Sequence, residues 1–96
     1  MNFEKLYLIL NKRGLFNTFQ ILSQCEDNKA EKGLFYKKLT EFSHYNSFLR
    51  IKSKLLETNL IYLEESNGKE YIGLTEKGIF VFEKLLQINE LIEEAV

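Results

Sequence analysis

YNSFLRIKSKLLETNLI, residues 45–61, is the stretch that decides the fold of this 96-residue chain. On a helix that advances 100° per residue, Ile51 and Leu55 lie within about 60° of Phe48. The opposite face, roughly 140° to 260° from Phe48, is polar and mostly basic: Asn46, Ser47, Arg50, Ser53 and Lys54. The pattern therefore predicts an amphipathic helix with an apolar back, and Asn59 is expected to end it in the left-handed conformation.

Positive charge is concentrated around this helix, although the whole chain has a formal net charge of −1. Residues 1–28 are neutral, residues 29–54 hold seven basic against two acidic side chains, and residues 55–96 hold three against nine. Because salt screens charges that lie more than about 10 Å apart, a partner responds to a local patch rather than to the total. The +5 middle segment therefore favours a polyanionic partner.

Two further amphipathic helices are predicted before this stretch. The first runs from Leu15 to Cys25, a polar loop follows at residues 26–29, and the second helix spans roughly Gly33 to Phe42. Residues 2–11 fit either a short helix or a buried strand, because YLIL suits both patterns. We expect Cys25 to be buried at a helix end, and the following phenylalanines to form the core: Phe16, Phe19, Phe35, Phe42, Phe48, Phe80 and Phe82.

A β-hairpin and a long helix are predicted after it. Asn67-Gly68 is the strongest two-residue hairpin signal, because both residues tolerate positive φ. Ile61 and Leu63 are expected to point inward on the first strand. Thr75 is expected to cap a last helix that runs to Glu93 or beyond.

A helix pair followed by a β-hairpin is the winged variant of the helix-turn-helix. A helix that enters the major groove needs an apolar back, small or polar groups for the bases and cations for phosphate. Arginine can bind guanine, and asparagine can bind adenine, through paired hydrogen bonds. The candidate DNA contacts are Tyr45, Asn46, Ser47, Arg50, Ser53 and Lys54 on the third helix, Lys37 and Lys38 on the second, and Lys69 in the hairpin.

We therefore expect one α+β, mainly α, winged helix-turn-helix domain that spans residues 1–96. Its helix-turn-helix would occupy about 33–58, its two-stranded wing about 61–74 and its C-terminal dimerisation helix about 75–94. The hairpin carries Glu64, Glu65 and Glu70 against only Lys69, so a phosphate backbone should repel it.

Two motifs resemble those of small winged-helix regulators. KLLETNLI, residues 54–61, is similar to the family's leucine-rich ending in Gly-Leu-Ile, with Asn59 in place of glycine. YIGLTEKG, residues 71–78, resembles the LTEKG-type start of the final helix in archaeal winged-helix proteins and PadR- or MarR-like repressors. The stretch from Ser43 to Ile61 is most similar to small archaeal and archaeal-virus DNA-binding proteins. The resemblance covers over half of the chain and implies binding to double-stranded DNA as a homodimer.

The last helix has more apolar residues than the core of one domain can cover. A band with nearly coiled-coil spacing is formed by Val81, Leu85, Ile88, Ile92 and Ala95. A homodimer through this helix would bury the band, which monomers avoid exposing. Two-fold symmetry would then present two third helices to half-sites about one DNA turn, roughly 34 Å, apart. The alternative is a helix that folds back on its own domain.

No catalytic or cofactor motif is recognisable. The chain lacks a Gly-rich phosphate loop and a Ser-His-Asp arrangement, and the lone His44 has no metal-ligating partner at a suitable spacing. We therefore predict no enzyme, no cofactor and no metal. The apolar runs are too short for a membrane span and the N-terminus lacks signal-peptide features. The single Cys25 fits a reducing compartment, so we predict a cytoplasmic protein without a membrane partner.

Two other functions are compatible with the same sequence. A winged-helix module can bind another protein instead of DNA, and the acidic hairpin and the last helix favour this alternative. A redox sensor acting through Cys25 is the second. Salt-dependent binding to duplex DNA would distinguish a DNA-binding protein from the protein-binding module.

Overall fold

The computed structural model describes residues 3–4, 13–41 and 45–94. The predicted segment 2–11 lies almost wholly outside the described residues, as do Phe42 and His44. The chain is α+β and mainly helical, as predicted. Its elements are α1 (Arg13–Ser23), a 3₁₀ turn (Glu26–Asn28), β1 (Lys29–Glu31), α2 (Lys32–Glu41), α3 (Tyr45–Glu57), β2 (Ile61–Ser66), β3 (Lys69–Leu74) and α4 (Glu76–Glu93).

The predicted apolar faces of α1, α2 and α3 meet in one core. Each of these helices is amphipathic, so burying its apolar face removes that face from water and stabilises the fold. α1 and α3 approach closely, because a Cβ on Gly14 would lie 2.8 Å from the backbone nitrogen of Phe48. The buried side chains from these three helices are Leu15, Thr18, Phe19, Ile21, Leu22, Phe35, Leu39, Phe48, Ile51 and Leu55.

The three strands form an antiparallel sheet in the order β1-β3-β2. β2 and β3 form the predicted hairpin, with Asn67 at φ 54° and Gly68 at φ 76° in the turn. Two successive residues with positive φ suit a tight turn whose twist matches that of the flanking strands. Ile61, Ile72 and Leu74 lie at the base of the hairpin and complete the core.

The polar loop predicted at residues 26–29 is wrong, because this segment contains a 3₁₀ turn and the start of a strand. Asp27 and Asn28 adopt positive φ, which short polar side chains tolerate better than most. The turn aligns Lys29–Glu31 with β3, and Ala30 pairs with Ile72. A three-residue strand with one apolar side chain has no recognisable period, so only pairing with a distant strand forms it.

Three side chains predicted to point inward are exposed. Leu63 is 51% exposed although it pairs with the buried Ile72, because β2 is an edge strand whereas β3 lies between β1 and β2. Phe16 and Phe80 are exposed as well, whereas Phe82 packs on Phe19 with their ring centroids 5.2 Å apart. Only one side of α4 therefore reaches the core, and Phe80 lies on another side.

Asn59 ends α3 as predicted. It adopts φ 61°, and its backbone N–H donates to the carbonyl of Leu56 at 3.0 Å. The next N–H, from Leu60, donates to the carbonyl of Leu55 at 2.9 Å. This pair of hydrogen bonds, with Leu55 and Leu60 both buried, is a Schellman motif.

The start of α4 is built against that same exit from α3. The backbone N–H of Gly78 donates to Oγ1 of Thr75 at 2.9 Å, which confirms Thr75 as the N-cap. The Thr75 hydroxyl donates to the carbonyl of Asn59 at 2.6 Å, and the Lys77 ammonium donates to the carbonyl of Thr58 at 2.8 Å. Residues 58–60 and 75–78 thus form one junction, which sets the direction of α4.

Candidate nucleic-acid interface

The outward face of α3 brings together most of the side chains predicted to contact DNA. Tyr45, Asn46, Arg50, Ser53 and Lys54 are all exposed. Phe48, Ile51 and Leu55 bury the opposite face and fix the rotation of the helix about its axis. The exposed face can therefore offer hydrogen-bond donors and acceptors to a partner without any rearrangement of the core.

Ser47 lies at the edge of this face. Its side chain is half-buried, and its backbone is one of the closest neighbours of Gly14 on α1. A residue held against another helix has less freedom to reach a ligand than Asn46, which precedes it. We therefore regard Ser47 as the least accessible of the predicted contacts on α3.

Lys54 is the one predicted contact on α3 with a recorded ion pair among the described residues. Its Nζ lies 3.4 Å from Oε2 of Glu57, one turn further along the helix. Both side chains are more than half exposed, and ion pairs at such positions stabilise a fold by only about 0–1 kcal/mol. A phosphate could therefore replace Glu57 as the partner of Lys54 at little cost.

Tyr36 of α2 supports the start of α3 through an aromatic cluster. Its ring meets the ring of Tyr45 edge-on, with centroids 5.3 Å apart, and lies 6.0 Å from the ring of Phe48. Such edge-to-face pairs add to the stabilisation from burial alone. Tyr45 is therefore exposed but held in place, and its hydroxyl group can serve as a fixed donor.

Sequence reasoning missed Lys52, whose Nζ donates to the Tyr36 hydroxyl at 3.3 Å. Lys52 lies about 40° from Phe48 on the helical projection, on the flank of the buried face rather than on the polar face. A long aliphatic stem lets an ammonium group reach the surface from such a position. This property of lysine is the feature of the sequence that could have identified Lys52 as a surface cation. Lys52 and Lys32 line a groove between the helices and the hairpin.

The two predicted cations on α2 differ in exposure. Lys37 is exposed and Lys38 is half-buried. Neither has an ion pair with another residue that the structure describes. Both are therefore available to an external anion.

Two of the three glutamates of the hairpin are paired with lysines, so the negative charge of the hairpin is partly neutralised. Lys29 of β1 and Lys32 of α2 lie 2.9 Å from carboxylate oxygens of Glu64 and Glu70, respectively. In each case the hydrogen bond to the carboxylate, followed by its charge, raises the pKa of the lysine above its ordinary value. Within the described part of the chain, Glu65 has no ion-pair partner.

These ion pairs change the interpretation of the +5 segment. Its first two lysines face the hairpin carboxylates rather than a free surface, although they are 35 and 38 residues away from their partners in sequence. Lys69, the predicted hairpin contact, is exposed near the turn and has no recorded ion pair among the described residues. The cations left for an external anion are thus mainly those of α2 and α3.

The apolar band predicted as a dimer interface divides into two parts. Val81 and Leu85 are half-buried and pack against the core of their own domain. Ile88 and Ile92 are 52% and 74% exposed, and Ala95 lies outside the described residues. The exposed part of the band and the exposed apolar side chains next to it on α4 form what we call the outer stripe: Phe80, Ile88, Leu91 and Ile92.

The remaining candidate sites are simple to place. Cys25 is half-buried rather than buried, and its Sγ lies 3.2 Å from the carbonyl oxygen of Ile21. Among residues 3–4, 13–41 and 45–94, no group of three His, Cys, Asp or Glu side chains could hold a metal ion. In the same residues, every helix is too short or too polar to cross a membrane.

Comparison of the sequence with protein-family models and with curated proteins identifies no relative. No protein-family model matches the sequence. A search of curated proteins also finds no significant match, so the candidate interface has to be interpreted from its own residues.

Proposed function

We propose that this chain is a winged helix-turn-helix protein that binds double-stranded DNA as a homodimer, as a transcriptional regulator or an architectural protein. The observation that carries the proposal is the face of α3. It is polar and basic, it is exposed along the helix, and its apolar back is locked into the core. The hairpin beside it is compatible with a winged-helix arrangement, and the motifs at residues 54–61 and 71–78 resemble those of such regulators.

The distribution of cations supports the same proposal. Arg50, Lys37 and Lys38 have no ion-pair partner among the described residues, whereas Lys29 and Lys32 are paired with carboxylates of the hairpin. Phosphate contacts supply most of the affinity of DNA-binding proteins, and unpaired cations can make them without breaking an internal contact. The α2–α3 side of the molecule is therefore the side that we place against DNA.

Arg50→Ala is expected to lower affinity for the preferred site by about 1–3 kcal/mol and to relax one base position. The preferred site would first be selected from a random duplex pool, and variants would then be titrated against it and against single-base changes. Arg50→Lys is the matched control, because it keeps the charge but loses the paired hydrogen bonds to guanine. Equal losses on every sequence would make Arg50 a phosphate contact, and no loss would remove it from the interface.

Replacing Lys37, Lys38 and Lys54 with glutamine is expected to weaken binding to all duplexes alike. Each true phosphate contact should reduce the slope of log affinity against log salt concentration by about 0.9. The matched control is Lys29→Gln, because Lys29 is already paired with Glu64 of the hairpin and is not a predicted DNA contact. An unchanged slope in the triple variant would show that these three lysines face away from DNA.

The second candidate function is a protein-interaction module with the same fold. Leu63 favours it, because this leucine is exposed on the hairpin beside Glu64 and Glu65. Such a module would not bind duplex DNA in a salt-dependent way. Titration of a duplex at two salt concentrations therefore decides between the two functions.

A further inference from the structure

We propose that Leu49 reads the 5-methyl group of a thymine in the major groove, an inference that rests on the proposed function. Leu49 is 44% exposed on α3. It is absent from the apolar side chains that pack on the core, which on the same helix include Leu55 and Leu56. The folded domain therefore gains little from an apolar residue at this position.

The position of Leu49 distinguishes it from an ordinary exposed leucine, since single apolar side chains are common on protein surfaces. At 100° per residue, it lies about 60° from Asn46 and about 40° from Ser53 around the helix axis. Arg50 follows it directly. Leu49, about 100° from Phe48, is thus an apolar group at the edge of the face whose members can hydrogen-bond to base edges.

The major groove offers a matching apolar group. Thymine is the base that carries a methyl group at C5 there, and apolar side chains contact it. Asn46 and Arg50 have the groups that bind adenine and guanine. We infer that the preferred DNA sequence contains a thymine next to a base that one of these two residues contacts.

Substitution of deoxyuridine for each thymine of the selected duplex, one at a time, tests the inference. Deoxyuridine lacks only the methyl group, so its hydrogen bonds are unchanged. At one position, binding by the unmodified protein should weaken about fourfold, which corresponds to one buried methyl group. Leu49→Ala should bind the thymine and deoxyuridine duplexes equally well, and thermal unfolding should show that this exposed substitution keeps the fold.

Leu34→Ala is the matched control, because Leu34 on α2 is 47% exposed, slightly more than Leu49. This variant should keep the full preference for thymine. If the unmodified protein binds duplex DNA but no deoxyuridine substitution weakens it, the methyl contact is wrong and DNA binding stands. If Leu49→Ala keeps the preference for thymine over deoxyuridine, the contact between Leu49 and the methyl group is likewise wrong and DNA binding stands. If the unmodified protein binds no duplex, both proposals fail.

Discussion

Replacing Ile88 and Ile92 with glutamate is expected to lower the apparent affinity for a palindromic DNA site by a factor of about 10² or more. Both side chains belong to the outer stripe and are mostly exposed in the single chain, so their replacement removes no core contact. In a homodimer they would be buried against a second copy, and four glutamates there would prevent association. Without the dimer, the second half-site no longer binds as a linked event.

The choice of these two residues follows from the division of the α4 band. Val81 and Leu85 pack on their own core, so charged substitutions there would unfold the chain and leave the dimer untested. A control for charge is available on the same helix. Asn89→Glu adds negative charge outside the outer stripe, so this variant measures how far repulsion from DNA alone lowers affinity.

The measurements are the mass by sedimentation equilibrium and a DNA titration on the same sample. The proposal requires a dimer for the unmodified protein and for the control, and a folded monomer for the Ile88 and Ile92 variant. A monomeric unmodified protein that binds a palindromic site tightly would show that the dimer is wrong. The final helix would then serve only its own domain.

Gly78→Ala is expected to destabilise the fold by about 3 kcal/mol, at the upper end of the usual cost of overpacking. An added Cβ would overlap the carbonyl oxygen of Leu60. This atom belongs to backbone that is held by the Schellman motif and by the hydrogen bond from the Thr75 N–H, so no rotamer change can relieve the overlap. α4 would have to move away from the exit of α3, and the N-cap hydrogen bond would be lost.

Gly33→Ala is the matched control for this substitution. Gly33 lies within α2, and nothing approaches its added Cβ within 4 Å. Alanine should therefore stabilise this helix by about 0.5–1 kcal/mol. Denaturant unfolding at one protein concentration measures both, because the stability of a dimer depends on concentration. Similar free energies of unfolding for the two variants would show that the junction between α3 and α4 yields easily.

Sequence alone determined the features that depend on neighbours along the chain. The 3.6-residue period of α3 predicted which side is buried and which side carries Asn46 and Arg50, because a helix places residues three and four apart on one face. Asn59, Asn67 and Thr75 were predicted correctly for a similar reason. Positive φ and N-capping depend on a few adjacent residues and on their steric and hydrogen-bonding preferences.

The LTEKG-type motif contains one residue whose role the sequence predicts and one whose role only the tertiary structure shows. Its threonine was recognisable as a cap from the sequence. The need for Gly78 was not, because it arises from the carbonyl of Leu60 on another element. The motif and the exit from α3 are therefore two halves of one contact.

Only the tertiary structure decided what depends on distant partners and on how far the core extends. β1 exists because Ala30 pairs with Ile72, and Glu64 and Glu70 are neutralised by lysines more than thirty residues away. Leu63 is exposed because β2 is an edge strand of the sheet, whereas its partner Ile72 lies on the central strand. α4 extends past the core of its own domain, so the same heptad pattern is half-buried at Val81 and exposed at Ile92. A repeat in sequence specifies a face of a helix, but the neighbours that cover this face are specified by packing.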